Sequence, residues 1–180
     1  MKMISLRSFG ALLVLGSTGI VARGEAQSAP KLSDPEVAHV AVTANQIDIS
    51  YAKIATKKSR NEEVLKFAKT MTDDHTAVIG QAAALAKKLG VTPKENAVSK
   101  QLLSDANKTE KLLQGTADKA FDKAYVDNEV AYHKAVIGAV ETLLIPETEN
   151  AELKGLLEKV LPALKAHLAH AEMIQKSLAK

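Results

Sequence analysis

The sequence predicts an all-α protein whose main part folds as one helical bundle. Three observations predict it. Strong helix formers (Ala, Leu, Lys and Glu) are abundant, while aromatic residues make up only 3% of the chain and Trp is absent. Apolar residues recur at helical spacing through four long segments. No run of β-branched residues alternates with polar ones in the manner of a strand.

Residues 1–26 read as an export signal, not as part of the fold. Lys2 and Arg7 open it, the charge-free run Phe9 to Val21 follows, and Gly24 and Ala26 offer small residues at a cleavage site. A membrane span needs roughly 20 apolar residues, and this run is shorter. No later segment approaches a span, so the mature chain is expected without a transmembrane segment. It is expected to be exported, and periplasmic or outer-membrane-associated in a bacterium. Residues 27–33 form a polar leader, and 34–180 form the bundle domain. Loss of residues 1–26 takes three of the 24 basic and one of the 21 acidic residues. The remainder is nearly neutral, which gives no reason to expect nucleic acid or an anionic membrane as partner. The chain has no Cys, so disulfides, thiol catalysis, iron–sulfur clusters and a lipidated N-terminal Cys are excluded.

In the bundle domain, Ser33 or Asp34 caps the first helix, with Pro35 in its first turn. Apolar or small residues at 37, 41, 44, 47, 51, 54 and 55 then carry it to about Lys58. Ser59 to Glu62 matches a capping box for the second helix, whose stripe runs from Val64 to Leu89. Gly90 stands where a helix-ending glycine belongs. Residues 95–114 form a weaker helical stretch, interrupted at Gly115. Asp118 is the expected cap of the third main helix, and Pro146 its stop. Thr148 is the expected cap of the fourth, which contains Pro162, where a kink is expected.

Polar residues within these stripes carry the chemical information, because burying them is costly unless they are partnered. His75 falls in the second helix's stripe and His167 in that of the fourth. Glu129 and His133 are i,i+4 neighbours in the third, and Asp48 lies in the first. Imidazoles and carboxylates converging inside a bundle are what a Zn, Fe, Mn or Cu site requires. Asp74, beside His75, adds a further carboxylate, and His170 can reach the same side as His167. His39 is off the stripe and reads as surface. The competing reading is that each His is a core residue bonded to a backbone carbonyl or carboxylate. One ion can join the three imidazoles only if they lie within roughly 10 Å of one another.

Three phrases carry a family resemblance. They are Val64-Leu65-Lys66-Phe67-Ala68-Lys69-Thr70-Met71-Thr72-Asp73-Asp74-His75, Phe121-Asp122-Lys123-Ala124-Tyr125 with Glu129 and His133, and Leu161-Pro162-Ala163-Leu164-Lys165-Ala166-His167-Leu168. In this order the chain resembles, over about residues 34–178, a ferritin-like family of exported bacterial proteins often called predicted outer-membrane proteins of unknown function. The resemblance implies a ferritin-like four-helix bundle with an extra short helix, and no established reaction. Family members commonly carry Glu where this chain has Asp48. The wider ferritin-like class holds two metal ions with Glu-x-x-His motifs. Here Thr72, Val130 and Leu164 stand three residues before His75, His133 and His167. A di-iron centre is therefore not expected, and a mononuclear, His-rich site for one transition-metal ion is the better match.

Two functional readings follow. With no nucleophile constellation and no phosphate loop, the first is a non-enzymatic exported helical protein linked to envelope stress. The alternative is a metal-binding protein for storage, delivery or redox chemistry, using His75, His133 and His167 with Glu129, Asp74 or Asp48. Membrane-surface binding ranks last, because the exposed helix faces mix both charge signs.

Overall fold

The computed structural model describes residues 31–179. The expected export signal, and the leader before Lys31, lie outside the described residues. Within them the chain is helical throughout, with no strand: α1 (Asp34–Lys58), α2 (Glu62–Leu89), α3 (Ala97–Gly115), α4 (Asp118–Ala139), a π-helical turn (Val140–Leu144), α5 (Ile145–Glu147) and α6 (Ala151–Leu178). The helix additional to the four main ones is α3, at 19 residues the shortest of the five long helices.

Local chemistry sets the helix ends. The Glu36 carboxylate reaches back to accept from the Ser33 backbone N–H at 3.0 Å and from its hydroxyl at 2.7 Å. Leu32, placed by sequence in a polar leader, is instead buried in the same apolar cluster as Val37. This is the hydrophobic staple that fixes a chain's entry into a helix. The cap of α2 is Asn61, not Ser59: its side-chain oxygen accepts from the N–H groups of Glu63 and Val64. Ser59 ends α1, and its hydroxyl accepts from the Asn61 N–H. Likewise Asn150 caps α6 through Glu152 and Leu153. Thr148 is buried, with its hydroxyl donating back to the Leu144 carbonyl. Asp118 is the first residue of α4 and not its cap. At α2 and α6 the shorter route from a side-chain oxygen to two free N–H groups prevails. Gly90 ends α2 at φ 64°, as expected.

Pro146 does not stop α4 outright. Proline lacks the N–H for an ordinary helical bond and crowds the preceding turn. The chain widens into a π turn, in which the Ile145 N–H bonds to the Val140 carbonyl, and stays helical to Glu147. α6 runs through Pro162 as one helix.

Short links join α1 to α2 and the end of α4 to α6, so these pairs are antiparallel neighbours. α3 and α4 also lie against α1, and α2 against α6. The core divides into two apolar clusters. One gathers Tyr51, Phe67, Met71, Phe121, Tyr125 and Ile174. The other gathers Val37, Ile137, Val140, Leu144, Leu157 and Leu164. Buried Asp48, His75, Glu129, His133 and His167 belong to neither and form a polar layer in the bundle. Past His75 no residue of α2 is buried, so its expected stripe is only half closed.

Candidate metal centre

Four helices deliver the polar layer. α1 brings Asp48, α2 His75, α4 both Glu129 and His133 one turn apart, and α6 His167. The rings of His75, His133 and His167 form a near-equilateral triangle with centroids 5.9, 5.3 and 5.6 Å apart. A ligand nitrogen from each lies within 4.8 Å of the others, which meets the distance condition for a single ion.

Outer partners fix which nitrogen carries the proton. Asn45 donates from Nδ2 to the Ala41 carbonyl at 2.8 Å, which turns its oxygen toward His75. His75 Nδ1–H then donates to that oxygen at 2.7 Å, leaving Nε2 with its lone pair. His133 Nδ1–H donates to the Glu129 backbone carbonyl at 3.0 Å, and its Nε2 is left in the same state. His167 Nε2–H donates to the Asp74 carboxylate at 2.9 Å, leaving Nδ1 free. Such outer bonds to carbonyls and carboxylates orient metal-ligating histidines. All three free nitrogens are buried and have no hydrogen-bond partner.

Asp48 completes the group. Its Oδ2 lies 3.4 Å from His75 Nε2 and 3.5 Å from His133 Nε2, yet neither of its oxygens has a hydrogen bond. Donors bound at about 2.0–2.1 Å to one tetrahedral ion stand about 3.3 Å apart, so these spacings fit an ion between them. Lone pairs facing a carboxylate across such gaps are uncompensated without a cation. Glu129 is fully buried, with both side-chain oxygens unpartnered, and its Oε2 lies 3.6 Å from His133 Nδ1. It therefore backs His133 on the side opposite the free nitrogen. Asp74 is largely exposed and acts through His167.

Burial, not ion pairing, sets the charge states. It pulls His75 down to about 3 and His133 down to about 4, helped by the neighbouring imidazoles. It pushes Asp48 up to about 8 and raises Glu129, which also feels Asp48. Neutral imidazoles are the form a metal requires. In the metal-free protein the raised carboxyls contribute stability that is lost as pH rises through about 8. The lowered histidines contribute stability that is lost as pH falls through about 4 and 3. Unfolded-state histidines are still half charged at pH 6.5 and nearly neutral at pH 8, a change that offsets the effect of the two raised carboxyls only in part. The urea midpoint of metal-free protein is expected to fall from pH 6.5 to 8, and Asp48→Asn to flatten that fall.

The sequence reading missed Asn45, which lies one turn before Asp48 and could have been found as a second polar residue near the stripe. His170 does not join the site; its ring packs edge-on to Phe67 at 5.2 Å. His39 is half-buried against Thr43, not fully at the surface. Tyr132 stands beside the site, held by its hydroxyl donating to the Ala44 carbonyl at 2.8 Å.

A family model described as domain of unknown function DUF4142 matches residues 21–174. No curated protein and no solved structure matches the chain.

Proposed function

The chain belongs to the DUF4142 family of domains of unknown function, and from that premise we propose that it is a mononuclear metal-binding protein. His75, His133, His167 and Asp48 hold the ion, while Asn45, Asp74 and the Glu129 carbonyl orient the imidazoles. One observation carries this reading: three histidines gathered within ligand distance each keep a buried nitrogen with no partner among the described residues, and the unpartnered Asp48 carboxyl lies 3.4 and 3.5 Å from two of those nitrogens. The core reading accounts for the one outer hydrogen bond of each histidine but leaves its second, buried nitrogen without a partner among the described residues. Nitrogen-rich donors with one carboxylate suit Zn, Fe, Mn or Cu. Binding displaces the proton that burial favours on Asp48, so uptake strengthens as pH rises. A single buried ion suits retention, delivery or redox chemistry better than bulk storage.

The same proposal has the protein exported, periplasmic or outer-membrane-associated, with a ferritin-like bundle. The features of residues 1–26 and the three family-like phrases support it. Among the described residues no helix is long and apolar enough to cross a membrane.

Elemental analysis of the purified protein tests the metal reading. Near-stoichiometric metal is expected in the parent and none in a folded His75→Ala/His133→Ala variant. A parent that is metal-free and takes up neither Zn, Fe, Mn nor Cu contradicts it.

A further inference from the structure

The metal centre opens onto a cavity of about 750 Å³. The volume lies within the range of about 300–1,000 Å³ typical of small-molecule sites. One end of the cavity is lined by Asp48, His75, His133 and His167. Beyond them its walls are mostly aliphatic, with Val78, Ala82 and Leu85 of α2 and Val136, Val140 and Leu157 on the lining, while polar side chains such as Asp34, Asp105 and Asn150 interrupt them. The α2 stripe that sequence periodicity places in the core is thus present but only partly covered, and none of its residues past His75 is fully buried. From His75 to Leu89 this wall extends about 21 Å at the helical rise of 1.5 Å per residue.

The lining dictates the chemistry of an occupant. The long walls have no aromatic face for a sugar or base; the two lining tyrosines, Tyr51 and Tyr132, belong to the metal-centre end. Among the described residues Lys87 is the one basic lining residue, and it stands at the far end of α2, so a phosphate head at the centre would meet no cation from them. A divalent ion with three neutral imidazoles and the Asp48 carboxylate has a net charge of one positive unit. A single carboxylate neutralises it, joining the four protein donors as a fifth ligand.

We propose that the cavity binds a fatty acid, its carboxylate at the metal centre and its alkyl chain along the α2 wall. The proposal rests on the metal-binding reading above. It assigns the partly covered stripe to a ligand and gives the buried ion a substrate-sized space beside it.

Calorimetry with dodecanoate tests it, on full protein loaded with zinc, on metal-free protein, and on zinc-loaded Ala82→Trp and Val78→Phe variants. Metal content and helicity are measured on each. The expected result is saturable binding to the zinc form. Affinity should be about tenfold or more weaker without zinc and in each folded variant, with dodecylamine also weaker than dodecanoate. The variants should keep their zinc. Protein holding one zinc per chain that does not bind dodecanoate overturns the proposal and leaves the metal reading standing. Equal binding with and without zinc, or in both wall variants, also overturns it. A dimeric zinc form that binds no dodecanoate assigns the cavity to a protein interface and overturns it. Protein that takes up no zinc overturns the proposal, and protein that takes up none of Zn, Fe, Mn or Cu overturns the metal reading as well.

Discussion

Zinc(II) at a free concentration about 100 times its Kd should raise the unfolding free energy of the parent protein by about 2.7 kcal/mol, and His133→Ala should abolish that gain. The native state alone brings His75, His133, His167 and Asp48 together; in the unfolded chain these residues are 27, 34 or more positions apart and bind weakly. Binding energy therefore becomes folding energy. His133 is the most informative ligand to remove. Its Nε2 is buried, unpartnered and 3.5 Å from Asp48, and His133 belongs both to the donor group with His75 and His167 and to the one with Asp48 and Glu129. Truncation also leaves a void, which costs stability in the metal-free protein too. The readout is accordingly the difference between urea unfolding with zinc and with chelator, measured on parent and variant alike. An equal gain in both proteins would place the ion elsewhere.

Asp48→Leu should move stability the other way. Leucine matches aspartate in branching at the γ position, and the site lies beside an apolar cavity that can take the extra bulk. The substitution removes a buried carboxylate with no hydrogen bond on either oxygen. Removing a buried polar group that has no partner relieves its desolvation cost, here about 1–3 kcal/mol for the metal-free protein. The gain should be larger at pH 8 than at pH 6, because burial pushes Asp48 up to about 8 and the higher pH begins to ionise it. The same variant should lose zinc affinity by more than the roughly 10–100-fold typical of disturbing an outer partner. A residue kept for structure would give the opposite result, with a destabilised protein whose metal binding is unchanged. Stability sacrificed at a functional site is a general expectation for proteins. Denaturant curves with chelator present, together with a zinc titration, decide between the two.

Much of this architecture was legible in the sequence because helical periodicity is a local signal. The start of α1, the glycine end of α2 and the polar interruptions at Asp48, His75, Glu129, His133 and His167 all appear at the expected places. Caps were read less well. Ser59 and Thr148 have the right chemistry, but Asn61 and Asn150 lie closer to the free N–H groups, a difference of two residues that propensity does not resolve. The alignment of the four helices along the bundle was beyond reach, since axial register depends on packing between segments distant in sequence. Only the fold reveals that Asp48 meets His75 and His133 while His170 turns to Phe67. The incomplete closure over α2 was also hidden: Val78, Ala82 and Leu85 continue a perfect stripe, and periodicity carries no information about whether a neighbouring helix covers it.

The metal centre is tested most directly by anomalous diffraction from crystals of zinc-loaded protein, recorded on both sides of the zinc edge. The account predicts one strong peak per chain, at about 2 Å from one nitrogen each of His75, His133 and His167 and from an Asp48 oxygen. A peak confined to surface carboxylates, or no peak within the polar layer, would contradict it and return the three histidines to the core.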